Sequence, residues 1–392
     1  MAIDQTPPGS ATSPQARLAA ARWRRWRWLG LPLAVYLGTR LVQFALVAWM
    51  LPPDGSTVAD RLLSWDSGWF VRVARDGYPH GVAADPGRDD TSGGLAFFPG
   101  YPLLVRGLHQ VTRLDFGDAA LVVSWIAAAA AAVGLFALAR RLYDSRVAAI
   151  LTVLFCAQPM SVVLSMGYSE GLFVAFVAGA LLAAHRRSWL AAGLCGLAAA
   201  LTRPTGAAVA VALAVVAFVA VRERRPDRWR AVAAAVPALL GVPAYLGWVG
   251  WRTGDWHAWF DIQTAGWGTT FDFGLGAGTF VLNALRSGDG WVQVSVALLL
   301  IAAVVAAGVA VARRVWPPLL VYGLVALVLA IGQSGYYHSK PRLLVPVLVI
   351  LVPGALALAR ARPRTAVSVL AGYSLFGLWY GAYLITVWRF AI

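Results

Sequence analysis

The chain has 392 residues, of which 59% are hydrophobic and 13% charged, and its formal net charge is +15. A soluble domain carries about 25% charged residues, so this composition excludes an ordinary soluble protein. Apolar stretches of about 20 residues recur along the chain, the length a helix needs to cross a bilayer, and they point to an all-α polytopic membrane protein. The excess charge is arginine lying between those stretches, which is the positive-inside pattern and implies membrane lipids but no nucleic acid as a partner.

In chain order, residues 1–16 are polar and rich in Pro and Ser, and are expected to form a disordered cytoplasmic tail. The arginine-rich segment Arg17–Arg27 leads into an apolar run longer than a signal segment, which reads as a retained anchor. Residues 17–392 are read as a single transmembrane domain. Its eleven expected crossings are 31–51, 119–139, 147–165, 169–184, 189–203, 205–221, 231–251, 290–312, 316–334, 342–359 and 366–388. With a cytoplasmic N-terminus in the plasma membrane, the loops at 52–118, 252–289 and 333–341 face the extracytoplasmic side. Most of the 18 acidic residues lie in or beside these loops, so the chemistry is expected on that face. Cys156 and Cys195 sit in apolar segments and are read as small hydrophobes.

The first loop contains VADRLLSWDSGWFVRVARDGY. Val58, Leu62, Trp65, Trp69 and Val73 share one helical face, which predicts a helix lying in the membrane interface and stopping at Gly77. Asp66 flanks that ridge. It is either an N-cap or ion-pair partner of an arginine, or a general base that takes a proton from a hydroxyl at the membrane surface. The following GRDDTSGG reads as a mobile loop, with Arg88–Asp90 solvated rather than a metal motif. FFPGYPLLVRGLHQV predicts a second interfacial helix with Pro102 in its first turn.

Three charges fall within or at the ends of crossings: Arg40, Glu170 in GYSEGLF, and Arg203 in LTRPTG. Arg40 or Arg203 is expected to pair with Glu170, either ordering the bundle or contacting substrate. Pro159 is expected to break a helix nearby. In the second loop, WRTGDWHAWFD is a candidate acceptor contact, with His257 as a surface residue. The third loop, QSGYYHSKPRLLVP, places His338, Lys340 and Arg342 together against the positive-inside trend, and Lys340 is the only lysine. These cations either hold a phosphate at headgroup depth or snorkel to lipid headgroups.

WDSGWF with Gly77-Tyr78, LAFFPGYPLL, GYSEGLF, LTRPTG and HSKPRLLVP occur in this order. Together they resemble the PIG-V-like mannosyltransferases of the GT-C superfamily, and are similar to the actinobacterial enzymes that elongate phosphatidylinositol mannosides. The resemblance implies a GT-C fold with about 11 transmembrane helices and a large first extracytoplasmic loop. It implies an inverting, metal-independent transfer of mannose from polyprenyl-phosphate mannose to a glycolipid or lipoglycan, without a cofactor. Asp66 falls on the catalytic aspartate of the family's first loop. His338, Lys340 and Arg342 fall in its late outer-loop motif and would hold the donor phosphate together with Arg203. Trp65, Trp69, Tyr168 and Glu170 are the expected acceptor or sugar contacts. Two other readings remain open: transfer of a different lipid-linked sugar, and transport of a lipid-linked sugar without chemistry.

Overall fold

The computed structural model of the protein describes residues 27–81, 91–288 and 290–392. The 1–16 tail, the arginines up to residue 26, Arg88–Asp90 and Asp289 lie outside the described residues. In chain order the α-helices are α1 (Gly30–Trp49), α2 (Val58–Leu62), α3 (Asp66–Asp76), α4 (Gly100–Thr112), α5 (Phe116–Leu142), α6 (Ser145–Ala157), α7 (Glu170–His185), α8 (Trp189–Ala200) and α9 (Ala207–Arg222). They continue with α10 (Arg228–Thr253), α11 (Ala258–Trp267), α12 (Leu275–Ser287), α13 (Trp291–Ala312), α14 (Pro317–Gly332), α15 (Lys340–Leu344), α16 (Val352–Arg360) and α17 (Pro363–Thr386).

Six of these segments are long and apolar enough to cross a membrane: α1, α5, α9 with its preceding 3-10 turn, α10, α13 and α17. A seventh, Tyr337–Leu344 with Leu348–Arg360, is bent by 77°. The chain is therefore a multi-pass helical membrane protein. Each expected crossing falls on one of these elements or on the shorter apolar helices α6, α7, α8 and α14, but eleven full spans are not established. Those four have 13, 16, 12 and 16 residues, below the roughly 20 that a simple span needs.

Two crossings differ from the expectation. The 147–165 segment is not one helix: α6 stops at Ala157, Gln158-Pro159 breaks the ladder, and Met160 adopts a left-handed φ of 67° before a 3-10 turn at Ser161–Leu164. The break at Pro159 is as expected. The 342–359 segment is interrupted after Leu344, where Pro346 offers no N–H to continue the helix.

The centre of the bundle is packed through small residues. Helix α5 lies on α7, α7 on α8, α8 on α10, and α10 on α9. A Cβ at Gly193 would lie 3.0 Å from Ala234 Cα, and one at Gly196 would lie 2.8 Å from Ala238 Cβ. A Cβ at Gly241 would lie 2.6 Å from Ala200 Cβ. Lipid tails are as apolar as leucine, so such close backbone approach is what holds helices together in a membrane.

The three outer loops meet at one end of the bundle. Arg252 donates to Tyr78 O at 2.8 Å, and the Tyr78 hydroxyl donates to Phe97 O at 2.7 Å. Burial pushes the Tyr78 phenol up, which keeps it protonated as a donor. Tyr245 on α10 donates to Leu95 O and Phe97 O at 3.0 and 2.8 Å. An isolated antiparallel bridge joins Phe271 to Gln333, tying the second loop to the third. Thr91–Ala96, expected as part of a mobile loop, is a 3-10 turn with Leu95 fully buried.

Gly196→Leu is expected to destabilise the bundle by about 1–3 kcal/mol, the usual cost of overpacking. Gly247→Ala, where an added Cβ meets nothing within 4 Å, is expected to leave thermal unfolding in nanodiscs unchanged. Equal unfolding temperatures for wild type and Gly196→Leu would refute close packing of α8 on α10.

Candidate active site

The site begins at a broken helix. The continuous helix expected over Val58–Val73 is two helices, because Trp65 takes a φ of 54° between α2 and α3. That conformation is uncommon for a bulky residue, and a neighbouring loop accounts for it. Gly167 N donates to Leu62 O at 3.0 Å, and Asp66 N donates to the Tyr168 hydroxyl at 3.3 Å. A Cβ at Gly167 would lie 3.2 Å from both Leu63 Cδ2 and Ser67 Oγ, so the GYSEGLF loop sits directly on the WDSGWF turn. Asp66 becomes the first residue of α3, and Gly77 ends that helix with a φ of 85°, as expected.

The other motifs close around this turn. Gly100 N donates to Leu201 O at 2.8 Å, docking LAFFPGYPLL on LTRPTG. Its Tyr101 packs edge-on against Phe70 at 4.9 Å and hydrogen-bonds Ala120 O at 2.7 Å. Arg203 is extended before Pro204, and its Nη1 lies 2.9 Å from Ser169 Oγ and 2.8 Å from Glu170 Oε1. Arg342 Nη1 donates to Asp66 Oδ2 at 2.7 Å, while its Nε stands 3.6 Å from Glu170 Oε1. The guanidinium also lies 5.1 Å from the centroid of the Tyr168 ring.

Two carboxylates and two guanidiniums thus form one cluster. Glu170 is 1% exposed, whereas Asp66, Arg203 and Arg342 side chains retain 14–18% exposure. The cluster is under-satisfied: neither Glu170 oxygen, nor Arg203 Nε, nor Arg342 Nε has a well-aligned hydrogen-bond partner among the described residues. The unmet atoms are two guanidinium donors and two carboxylate acceptors, a combination that suits a polar ligand carrying both kinds of group.

Several expected site residues stand elsewhere. Arg40 does not pair with Glu170. It donates to Ser161 O at 2.7 Å, to Ser165 Oγ at 3.0 Å and to the Cys156 carbonyl, and so closes the break after α6. Lys340 is 2% exposed and donates to Ala330 O at 3.0 Å and to the Gln333 carbonyl. It caps the C-terminal end of α14, and none of its described hydrogen bonds reaches the charged cluster. His338 lies in the wall of a separate cavity. Trp65 packs on the main core. Trp69 stacks on Phe97 at 6.1 Å, meets Trp267 edge-on at 6.1 Å, and carries Arg72 over its ring at 4.8 Å. His257 is exposed, as expected. Both cysteines are free. Among the described residues no group of three or more His, Cys, Asp or Glu is placed to hold a metal ion.

Comparison with known proteins follows from this geometry. Residues 55–222 match the family described as Mannosyltransferase (PIG-V). That stretch is under half of the chain and contains four of the five motifs; HSKPRLLVP lies beyond it. The resemblance to PIG-V proteins expected from the motifs is thus found over the region that builds Asp66, Tyr168, Glu170 and Arg203. No curated protein matches.

Among solved structures, the oligosaccharyltransferase of Archaeoglobus fulgidus in its apo form is similar, with a TM-score of 0.52 at 13% identity over 91% of this chain and 56% of that one. The archaeal oligosaccharyltransferase AglB from the same organism, in complex with an inhibitory peptide and a dolichol-phosphate, gives a TM-score of 0.51 at 12% identity, covering 93% and 56%. ArnT from Cupriavidus metallidurans in the apo state gives 0.49 at 16% identity, covering 92% and 63%. The chain therefore spans between about half and two thirds of the length of these proteins. The chain shares its fold with the oligosaccharyltransferase structures.

Arg203→Ala leaves Glu170 with a single guanidinium nitrogen at 3.6 Å. Removing one partner of a buried pair costs about 3–5 kcal/mol. Glu170→Gln in the same chain is expected to recover most of that loss in thermal unfolding. Additive losses in the double variant would show that the two residues are not coupled.

Proposed function

We propose that the chain is an inverting glycosyltransferase that moves mannose from polyprenyl-phosphate mannose to a glycolipid or lipoglycan on the extracytoplasmic face of the plasma membrane. The observation that carries the proposal is the 2.7 Å contact between Asp66 and Arg342, which are 276 residues apart. It joins a candidate base to a candidate phosphate-binding cation at the end of the bundle where the loops gather. The PIG-V resemblance supports the class of reaction. The dolichol-phosphate bound by AglB, a protein of like fold, belongs to the ligand class the proposal requires.

In the proposed reaction Asp66 takes the proton of an acceptor hydroxyl as its oxygen attacks the anomeric carbon. The bond from that carbon to the phosphate oxygen breaks on the opposite face, so a β-linked donor gives an α-linked product. Polyprenyl phosphate leaves with the electron pair, and Arg342 stabilises the developing charge. Arg342 Nη1 also donates to Ile392 O at 2.7 Å, and a phosphate oxygen of the donor would take that oxygen's place. Arg203 holds Glu170 beneath Arg342. Lys340 and His338 support the loop that carries Arg342 rather than meeting the phosphate themselves. The reaction is proposed to need no metal.

The test is a transfer assay on purified protein in nanodiscs, with EDTA present, polyprenyl-phosphate mannose as donor and a membrane lipid extract as acceptor. Wild type is expected to release polyprenyl phosphate and form a mannosylated lipid. Asp66→Asn is expected to lose a factor of about 10²–10⁴, the usual contribution of a general base. Near-normal turnover in Asp66→Asn would remove Asp66 as the base. Transfer that occurs only when EDTA is left out would overturn metal independence. Parallel donors carrying glucose or arabinose identify the sugar. Donor binding without transfer to any acceptor would favour a lipid-linked sugar transporter.

A further inference from the structure

The helix that carries Asp66 begins without a cap of its own. Trp65, the residue before α3, takes a φ of 54° and makes no side-chain capping bond, although the first N–H groups of a helix have no partner within it. Ser67 N and Gly68 N donate to Ser64 O and Trp65 O at 3.3 and 3.0 Å. Asp66 N is met instead by the hydroxyl of Tyr168 at 3.3 Å, across 102 residues of chain. At the far end of α3, Arg106 on α4 donates through Nε to Ala74 O at 2.6 Å. A helix of 11 residues is marginal on its own, and α3 is held at both ends by side chains of other elements.

Tyr168 touches the charged cluster a second time. The guanidinium carbon of Arg342 lies 5.1 Å from the centroid of its ring, within the roughly 6 Å over which an aromatic face attracts a cation. The tyrosine itself is anchored. It is 1% exposed, its carbonyl accepts from Ser124 Oγ on α5 at 3.0 Å, and Ser124 is hydrogen-bonded in turn to the Tyr101 hydroxyl at 2.8 Å. Its neighbours are anchored as well: Gly167 N donates to Leu62 O, and Ser169 Oγ accepts from Arg203 Nη1. The hydroxyl and the ring of one buried side chain therefore meet the two partners of the Asp66–Arg342 contact.

We infer that Tyr168 is a positioning residue for the transfer reaction rather than the sugar contact expected of it: its hydroxyl sets Asp66, and its ring holds Arg342 for the donor phosphate. The inference rests on the transferase reading above. At 1% exposure the tyrosine meets both groups from the protein side. Asp66 and Arg342 keep 18% and 15% of their side chains exposed for the substrates. The two contacts control different steps. Without the hydroxyl, Asp66 N loses its partner and the strained Trp65 turn is free to relax, which moves the base. Displacing a reacting group by about 1 Å costs about 10²-fold in rate. Without the ring, Arg342 loses the aromatic face that holds its guanidinium, and phosphate binding weakens.

The test uses full-length protein in nanodiscs. It reads kcat and donor KM for mannose transfer to the lipid extract, and in parallel the affinity for farnesyl phosphate, a prenyl phosphate probe. Tyr168→Phe removes only the hydroxyl and is expected to lower kcat about 10–100-fold, with donor KM and probe affinity unchanged. Tyr168→Leu removes the ring as well and is expected to add a loss of about fivefold in donor KM and in probe affinity. Phenylalanine thus rescues phosphate binding but not turnover, a split that general damage to the fold does not produce. A wild-type kcat in Tyr168→Phe, equal loss of probe affinity in the two variants, or wild-type affinity in Tyr168→Leu overturns the inference. If Tyr168→Leu does not fold, kcat and KM of Tyr168→Phe decide. Absence of transfer by wild type sinks the transferase reading, and farnesyl phosphate then decides alone. Weaker probe binding in Tyr168→Leu only supports the hold on Arg342, whereas equal binding in all three chains, or none in wild type, overturns it.

Discussion

A helix that stops inside an apolar bundle leaves carbonyls that no water can reach, and in hydrocarbon each unmet backbone group costs several kcal/mol. This chain stops helices repeatedly, after α6, after α8, after α14 and after α15. The breaks survive because buried polar side chains meet the freed carbonyls. Arg40 serves Ser161 O at 2.7 Å and the Cys156 carbonyl. Gln158 reaches Val345 O at 3.2 Å, and Tyr322 donates to Pro346 O at 2.6 Å. Lys340 serves Ala330 O at 3.0 Å and the Gln333 carbonyl. The bundle's interior polarity is largely a set of plugs for interrupted helices.

The same interruptions place the charges. Asp66 is the first residue of α3 and Glu170 the first residue of α7. A carboxylate there faces the positive end of its helix, worth about 0.3–1 kcal/mol. Both helices start where they do because the Leu63–Trp65 turn and the Gly167–Ser169 loop brace one another. The arginines come from two further breaks, before Pro204 and within the bent 337–360 segment. Four interruptions from distant parts of the chain therefore supply one charged residue each to a single point.

This explains which parts were legible in the sequence. Motifs rich in Gly and Pro mark where helices break, so the positions of Asp66, Glu170, Arg203 and Arg342 stood out, and the Glu170–Arg203 pair was one of two expected partners. Gly77 as a stop and Pro102 in a first turn follow from local chemistry and appear as expected. The break at Trp65 was hidden because the 58–73 spacing is equally compatible with one continuous helix. What interrupts it is the contact between Gly167 and Leu62, about a hundred residues away. For the same reason Arg40 looked like a partner for Glu170: a buried guanidinium in the sequence does not say whether a carboxylate or a row of carbonyls will meet it. Lys340 and Arg342 were alike on paper. Their difference arises because the lysine stem reaches back to the end of α14, while the planar fork of arginine spans two carboxylates at once.

That sharing gives the charged cluster a property suited to the proposed reaction. Arg342 touches Asp66 through Nη1 and approaches Glu170 through Nε, and with Arg203 the four groups sum to zero charge. When Asp66 accepts a proton its carboxylate is neutralised and its hold on Arg342 weakens. At that moment the phosphodiester of the donor becomes a phosphomonoester and gains one negative charge. The guanidinium released by one event is the one required by the other, so the local charge stays constant along the reaction. Little reorganisation of the surrounding dipoles is then needed, which is the condition under which a preorganised site lowers a barrier most effectively. Glu170, 1% exposed and 2.8 Å from Arg203 Nη1, lies beneath, 3.6 Å from Arg342 Nε, and keeps Arg342 in place while its other partner changes.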